Sequence, residues 1–366
     1  MAGPAPLAPL TQDHLTDAVG HDLLRQLGLS LDHVISGDGD SFVTLLCRDE
    51  QHAPVVLKYV RPDAPPDAYR RLNNEARLLQ QVPTEWPLRL LRHRTSAAGY
   101  LVTELDSGRL LRPATMDEEQ VVRGVATALA LFQESARGQR LEGIRDRELA
   151  GRYYVKVLVK HLLHLWPEEL SLWQCCRAIA IVVTALPAML RRSAPAHGDF
   201  LPTNLLYHDG DGSVTFTDLE AFMRGAHPLF DVLAICTIDD REVVDWTWQA
   251  AFLRAYLGHV TGEARLNPQS AEFQRAYRGL LTFFLIYRLN EARVNAAAGR
   301  YFDGLSQPAF VWRRLTTMLR GVRHTPAAAR RGDGLDARRA NVRRLLGRSA
   351  VRDHLRAMRA FDLHSS

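Results

Sequence analysis

The 366-residue sequence is poor in lysine and cysteine. Only three of its 46 basic residues are lysines, namely Lys58, Lys156 and Lys160. The four cysteines show no metal-binding spacing, and Cys175 and Cys176 are adjacent on a helical pattern, which is a poor arrangement for a disulfide framework. These absences favour a reducing compartment, and we expect a cytoplasmic location.

Long hydrophobic runs are also missing. The longest apolar stretch covers residues 178–190 and is interrupted by Pro187. It is too short to span a bilayer, which needs about 20 residues, so a core helix is expected. Residues 1–10 lack the basic and apolar regions of a secretory signal. With 46% hydrophobic and 24% charged residues, the chain has the composition of a globular protein with two domains or lobes.

The most informative motif is His197-Gly198-Asp199, followed by Asn204 and, fourteen residues later, by Asp218. An aspartate can orient or deprotonate a substrate hydroxyl, while asparagine and aspartate oxygens can ligate magnesium. The spacing therefore predicts a phosphoryl-transfer centre with Asp199 as the catalytic residue and Asn204 and Asp218 as metal ligands. Taken singly, such residues are more often caps or turns. His197 is expected to hold the loop by hydrogen bonding rather than to shuttle protons.

The residues after this motif predict a β-hairpin. Two short apolar runs, 205–207 and 214–216, flank an Asp-Gly-Asp-Gly turn at residues 209–212. The hairpin would return the chain so that Asn204 and Asp218 can share a metal ion.

Lys58 stands near the end of a β-branched run, residues 54–60. A lysine on a strand can reach the α- and β-phosphates of a nucleotide. Glu75, seventeen residues on, opens a helical pattern and is the natural partner of Lys58. The alternatives are an exposed strand-end lysine and an ordinary surface carboxylate at a helix start.

Other patterns place these residues in a larger frame. A helix is predicted at 15–27, followed by strands at 31–35 and 42–47. The glycine-containing loop between them, residues 36–41, is either a phosphate-covering loop or a plain turn. A strand beginning at residue 99 runs into a polar connector at Glu104 and Leu105, where backbone groups of a hinge would bind adenine. From residue 117 onward helices dominate, at 118–136, 149–165 and 172–190.

Together with the segment Pro228-Leu229-Phe230-Asp231-Val232-Leu233-Ala234, these motifs resemble the aminoglycoside phosphotransferase and choline kinase-like family over residues 30–320. The resemblance implies an α+β, protein-kinase-like fold, with a small antiparallel β-sheet lobe (1–106) and a larger, mainly helical lobe (107–325). It also implies ATP and Mg²⁺ as cofactors, and Asp231 as structural support of the catalytic loop. Gly198 and Leu219-Glu220 differ from typical protein kinases, so a small-molecule kinase is favoured.

By the same resemblance, the acceptor hydroxyl would bind among residues 237–319. An acidic cluster beside Trp246 and Trp248 suits a cationic amine, or else marks a charged helix start with buried indoles; it comprises Asp239, Asp240, Glu242 and Asp245. Arg224 would suit an acidic acceptor instead. An aminoglycoside, an amino alcohol and a sugar all fit.

The C-terminal residues 323–366 contain eleven arginines and four aspartates, a net charge of +7 within a chain of net +5. Apolar positions in 326–366 predict an Arg-rich amphipathic helical tail, which either packs on its own domain or contacts an anionic membrane. A nucleic-acid partner is not expected. The alternatives to a small-molecule kinase are a kinase acting on a lipid-linked or lipopolysaccharide-type glycan, and a non-catalytic binding module, against which the complete set of site residues argues.

Overall fold

The chain folds into an antiparallel sheet followed by a mainly helical part, as expected for a kinase-like fold. The computed structural model describes residues 18–36, 41–83, 86–112, 115–116, 118–137, 139, 141–142, 144, 150–166, 168–238, 247–260, 266–297 and 315. Three predicted features lie outside these residues: the glycines of the 36–41 loop, the acidic cluster with Trp246, and the tail 326–366. Trp248, beside that cluster, is buried.

The sheet region extends to residue 110. Its elements are α1 (Ala18–Gln26), β1 (Ser30–Ser36), β2 (Phe42–Arg48), β3 (Pro54–Val60), α2 (Asp67–Gln81), β4 (Arg89–Leu90), β5 (His93–Ala97), β6 (Tyr100–Glu104) and β7 (Arg109–Leu110). Five strands form an antiparallel sheet in the order β1-β2-β3-β6-β5. The predicted strands at 31–35, 42–47 and 54–60 are confirmed.

The period-two alternation of β3 decides where its lysine points. Val55, Leu57 and Tyr59 are completely buried on one face of the strand, in a core cluster that also contains Leu24 of α1. Because side chains alternate along a strand, Lys58 lies on the opposite face, towards α2 and the helical part. Strand β3 is central in the sheet, so the backbone around Lys58 is hydrogen-bonded on both sides, to β2 and β6.

The helical region begins after β7. It comprises α3 (Glu119–Arg137), α4 (Gly151–Leu165), α5 (Leu172–Met189), β8 (Ala194–Ala196), β9 (Leu205–Tyr207), β10 (Val214–Phe216), β11 (Met223–Ala226), α6 (Leu229–Cys236), α7 (Thr247–His259) and α8 (Ala271–Ala297). The helices predicted at 118–136, 149–165 and 172–190 and the predicted hairpin are all present. The hairpin strands β9 and β10 join a four-stranded sheet in the order β4-β10-β9-β7. Strand β4 pairs with β10 and strand β7 pairs with β9, so the sheet region contacts both sides of the hairpin.

One element differs from its prediction. Glu75 does not open a helix: α2 begins eight residues earlier at Asp67, after Pro66 at the N-cap. Proline favours the start of a helix because its φ is already helical. Glu75 therefore lies on the inner face of α2 with Ala68, Leu72 and Leu79, and it is only 2% exposed.

Helix α5 packs through one face only. It begins with a capping box in which Ser171 and Gln174 satisfy each other's backbone groups, and it packs against α8 and α4. Within the described part of the chain, this helix of 18 residues is the single one long and apolar enough to cross a membrane by length and composition, with 33% of it buried. The core helix expected at 178–190 is thus a helix with one core face and one outer face.

The contact between α5 and α8 is unusually close at Gly279. A Cβ atom at this position would lie 2.4 Å from Cβ of Ala185 and 2.8 Å from Sδ of Met189. Helix propensity alone would favour alanine over glycine by about 1 kcal/mol. Glycine is therefore present because the two helix backbones approach each other too closely for a methyl group.

We expect Gly279→Ala to lower the free energy of unfolding by about 1–3 kcal/mol, since overpacking outweighs the gain in helix propensity. The double variant Ala185→Gly/Gly279→Ala should recover part of this loss. Gly258→Ala in α7 is the control, because nothing lies within 4 Å of a Cβ atom there. Denaturant unfolding measures all three, and a stabilised Gly279→Ala single variant would contradict the close packing of α5 on α8.

Candidate active site

Lys58 is the centre of an ion-pair cluster that joins the sheet to the helical region. Its Nζ lies 2.9 Å from Oε2 of Glu75, is hydrogen-bonded to Oδ1 of Asp218, and lies 3.5 Å from Oε2 of Glu220. The Lys58–Glu75 ion pair predicted from sequence is confirmed. Burial alone would lower the pKa of Lys58, but the carboxylates of Asp218, Glu75 and Glu220 outweigh it and raise the pKa. The ammonium group is therefore charged at every physiological pH.

Glu75 makes a second contact that fixes the segment after β10. Its Oε1 accepts a hydrogen bond of 3.1 Å from the backbone N–H of Leu219. One buried carboxylate thus binds both the strand lysine and the residue next to Asp218. Asp218 itself has a left-handed backbone, with φ 58° and ψ 50°, a conformation that costs energy for a non-glycine residue and is frequent at functional sites.

Arg71 completes this cluster from α2, one turn before Glu75. Its Nη1 donates to Oε1 of Glu220 at 2.7 Å and its Nη2 donates to Oγ of Ser41 at 2.7 Å. The aromatic ring of Phe42 lies under both cations, 4.8 Å from Nζ of Lys58 and 5.0 Å from the guanidinium of Arg71. Ser41 is the last residue of the predicted glycine-containing loop, so Arg71 ties the end of that loop to the cluster.

The cluster has an excess of carboxylate groups, because Lys58 and Arg71 face Glu75, Asp218 and Glu220. Burial raises the pKa of Glu220 to about 7, and its Oε2 has no hydrogen-bond donor. Burial also opposes ionisation of Asp218, but Lys58 outweighs it and holds the pKa of Asp218 below its usual range.

The donor set of the cluster fits a divalent cation. One oxygen each from Glu75, Asp218 and Glu220 lies within 4.8 Å of the others. Mg²⁺ prefers oxygen ligands, and a further positive charge would balance the excess of carboxylates. Glu220 was not among the residues predicted from sequence, although it stands only two residues after Asp218.

Asp199 and Asn204 lie together in the loop between β8 and β9. Nδ2 of Asn204 donates to the backbone oxygen of Asp199 at 2.9 Å and to its Oδ2 at 3.3 Å. Within the described residues no group donates to Oδ1 of Asn204, which leaves this oxygen as a possible metal ligand. The backbone oxygen of Asn204 accepts from the N–H of Thr217 at 3.0 Å. The hairpin therefore brings Asn204 next to the Asp218 segment, as predicted.

Asp231 and His197 hold the loop in shape. The Asp231 carboxylate accepts hydrogen bonds from the backbone N–H groups of His197 at 2.7 Å and Gly198 at 3.1 Å. His197 lies 2.8 Å through Nε2 from the carbonyl oxygen of Thr217, which can only accept, so Nε2 carries the proton. Burial lowers the pKa of His197, which keeps the ring neutral. This geometry agrees with the positioning role predicted for His197.

Gly198 is required by both conformation and space. Its φ is +89°, and a Cβ atom would lie 2.1 Å from the backbone oxygen of Ala221. No L-residue with a side chain fits there without moving the backbone. The glycine at this point of the motif is therefore a packing requirement of the loop on the segment after Asp218.

Burial raises the pKa of Asp199 to about 6, an effect opposed by Arg288 and reinforced by Asp218 and Glu291. Arg288 on α8 is 3% exposed, and its Nη1 donates to Oε2 of Glu291 at 2.5 Å. A carboxylate with this pKa is ionised at neutral pH and still basic enough to accept a proton. Sequence reasoning missed Arg288 and Glu291, because they are about ninety residues from the motif and carry no motif of their own.

The predicted hinge is held by Asp106. Its Oδ1 accepts from the N–H of Gly108 at 2.7 Å, and its Oδ2 accepts from Oγ1 of Thr215 in β10 at 2.8 Å. The backbone N–H of Glu104 donates a hydrogen bond to the carbonyl oxygen of Arg92. The side chain of Leu105 is 43% exposed. The structure thus places Glu104 and Leu105 at the end of β6, between sheet and hairpin, and shows Asp106 as the residue that fixes this connection.

Comparisons with known proteins identify the family of the chain. The sequence profile described as phosphotransferase enzyme family matches residues 35–268. No curated protein sequence shows significant similarity to the chain.

Similar solved structures are phosphotransferases and a choline kinase. Macrolide 2'-phosphotransferase MphH from Brachybacterium faecium has a TM-score of 0.55 and 16% identity, covering 83% of this chain and 98% of that chain. A thermostable mutant of aminoglycoside phosphotransferase APH(4)-Ia, in a ternary complex with ADP and hygromycin B, has a TM-score of 0.56 and 14% identity, covering 84% and 100%. Choline kinase LicA from Streptococcus pneumoniae has a TM-score of 0.53 and 14% identity, covering 82% and 97%. At these identities the likeness establishes a shared fold.

The raised pKa of Asp199 predicts a stability cost at the centre of the site. The folded protein favours the protonated form, so the cost is absent below pH 4, grows between the ordinary pKa of 3.8 and the folded value of about 6, and is constant above that. Asp199→Asn should therefore raise the free energy of unfolding by about 1–2 kcal/mol at pH 8. At pH 4 the gain should vanish.

Thermal unfolding of both proteins at pH 8 and pH 4 checks this expectation. Asp209→Asn is the exposed-site control, because Asp209 is 66% exposed and pairs with Arg109 outside the ion-pair cluster. Equal stabilities of wild type and Asp199→Asn at pH 8 would show that Asp199 is not held in an unfavourable ionised state.

Proposed function

Because the chain belongs to the phosphotransferase enzyme family, we propose that it transfers the γ-phosphoryl group of ATP to a hydroxyl group of a small molecule. The observation that carries the proposal is the position of Lys58. A charged, buried lysine from the central strand meets Asp218 in the segment after β10. This is the arrangement that phosphoryl transfer needs, a fixed cation for phosphates next to a carboxylate for a metal ion.

In this proposal Lys58 binds nucleotide phosphates while Glu75 keeps its ammonium group in place. Asp218, Asn204 and Glu220 would hold Mg²⁺, which supplies positive charge to the phosphate oxygens when bound. The adenine ring would lie at the hinge of Glu104 and Leu105. Support for a nucleotide comes from the ADP complex of the aminoglycoside phosphotransferase of the same fold.

Asp199 would orient the acceptor hydroxyl and take up its proton. The acceptor oxygen forms a bond to the γ-phosphorus, the bond from that phosphorus to the β–γ bridging oxygen breaks, and ADP leaves. Asn204 holds the Asp199 carboxylate through Nδ2, and Arg288 favours its ionised form. Because phosphoryl transfer has a loose transition state, orientation by Asp199 matters more than strong basicity.

For the acceptor we propose an aminoglycoside, an amino alcohol or a sugar, bound near α8. The similar structures include enzymes named for aminoglycosides, macrolides and choline. Besides the effect of burial, Arg288 on α8 lowers and Glu291 on α8 raises the pKa of Asp199. Burial raises the pKa of Tyr287 and the charge of Asp199 adds to this, so α8 lies close to the proposed catalytic carboxylate. We propose a cytoplasmic location, because the cytoplasm supplies ATP and keeps cysteines reduced, and the four cysteines are free.

ATP with Mg²⁺ should raise the melting temperature by roughly 5 °C at a concentration of about 100 times Kd. Asp218→Ala should lose this shift, because it removes the proposed metal ligand. Asp63→Ala should keep it, since Asp63 is 72% exposed and pairs with Arg61, away from the cluster. The melting temperature of each protein is measured with ATP in the presence and in the absence of Mg²⁺. An absent shift in the wild type would favour a non-catalytic binding module, and an equal shift without Mg²⁺ would contradict the metal site.

Turnover should be found by offering ATP and a panel of aminoglycosides, amino alcohols and sugars. For an accepted compound, Asp199→Asn should lower kcat by about 10²–10⁴-fold, while Asp209→Asn should leave it unchanged. The ratio kcat/KM of the wild type should rise with pH through about 6, because Asp199 must be ionised. Near-wild-type turnover in Asp199→Asn would contradict the proposed role.

A further inference from the structure

The outer face of α5 is apolar along its whole length. Leu172, Trp173, Val183 and Leu190 are 65%, 57%, 42% and 44% exposed. With the exposed residues Cys176, Ala180, Thr184 and Pro187 they form one stripe at helical spacing, opposite the buried face. We call these eight residues the α5 stripe. Large exposed apolar patches on a protein surface mark interaction sites.

Polar groups on the α5 stripe are few. The hydroxyl of Thr184 donates to the carbonyl oxygen of Ala180 at 2.7 Å, so it needs no water. Arg177 lies at the edge of the stripe with its guanidinium 5.1 Å from the Trp173 ring. The indole N–H of Trp173 and the thiol of Cys176 are the other polar groups of the stripe.

The end of α4, next to the connection to α5, also carries exposed apolar side chains. Leu163 is 64% exposed and Trp166 is 48% exposed. Trp166 and Trp173 therefore stand on either side of the short connection between the helices. Tryptophan is the side chain most enriched at membrane–water interfaces, where its ring is apolar and its N–H is polar.

Exposed basic residues lie on α4 and directly after α5. Lys156 and Lys160, two of the three lysines in the chain, are exposed on α4, and Arg191 follows α5 with 72% exposure. The acidic groups nearby are partly neutralised, since Glu272 pairs with Arg191 and Arg192. Glu168 pairs with Arg293, and Glu169 is exposed beside it.

We propose that the α5 stripe, with Leu163 and Trp166, docks on the surface of an anionic lipid bilayer. The apolar side chains would enter the interfacial layer while lysines and arginines contact lipid phosphates, as amphipathic helices do at membranes. Charge selects this partner over two others. The first alternative is the C-terminal segment 323–366, whose net charge of +7 would be repelled by the basic residues around the stripe. The second is another copy of the chain, which would bring the same basic residues against them. An anionic lipid surface is attracted instead.

The test is flotation of the full chain with vesicles. Wild type should bind vesicles of phosphatidylglycerol and phosphatidylcholine, and should bind pure phosphatidylcholine at least about tenfold more weakly. Val183→Glu should weaken binding to the anionic vesicles by about tenfold or more, because it places a carboxylate on the stripe. Val183→Lys should lose less. Val19→Glu in α1 is the matched control, with 41% exposure against 42%, and should bind like the wild type.

A conservative double variant guards against effects on folding. Trp166→Phe/Trp173→Phe should abolish most of the quenching of tryptophan emission by brominated lipid, while the circular dichroism spectrum stays that of the wild type. Binding of Val183→Glu equal to that of the wild type would overturn the proposal. So would a wild-type dimer that becomes a monomer on Val183→Glu without any change in vesicle binding, because a second copy would then cover the stripe.

Discussion

The buried ammonium group of Lys58 is the interaction on which the rest of the site depends. It comes from the central strand β3, and it is held by Glu75 of α2 and Asp218 of the segment after β10. Three separate parts of the chain therefore meet at one charge. Removal of Lys58 would leave the buried carboxylate of Glu75 without its cation, and an unpaired buried charge costs far more than the ion pair itself contributes to stability. The sheet and the helical region are joined by electrostatics at the same point where chemistry is proposed.

The loop between β8 and β9 is shaped by backbone constraints as much as by side chains. Gly198 and Asp218 both have positive φ, and the loop rests on the buried carboxylate of Asp231. Burial raises the pKa of both Asp199 and Asp231 to about 6. The site thus keeps ionised carboxylates where burial opposes them, a cost compatible with function rather than with maximal stability.

Helix α5 serves two surroundings at once. Its inner face meets α8 so closely that Gly279 cannot carry a side chain, and its outer face is apolar without a described partner. Rigid packing on one side gives the exposed stripe a defined shape and orientation. Its composition alone predicts an ordinary core helix, but α5 combines one closely packed face with one exposed apolar face.

The sequence by itself determined the strand with Lys58, the hairpin, most helices and the set Asp199, Asn204 and Asp218, because period-two and helical patterns and motif spacing are local properties. Only the tertiary structure placed Glu75 in mid-helix, added Glu220 and Arg71 to the lysine cluster, and brought Arg288 to Asp199. The contacts of Glu220, Arg71 and Arg288 join residues separated by about ninety or more positions, and a buried charge finds its partner through packing rather than through sequence spacing. Glu75 lies in mid-helix because α2 begins at Asp67. The two faces of α5 follow the same rule, since a run of apolar residues does not reveal which side a neighbouring helix will cover.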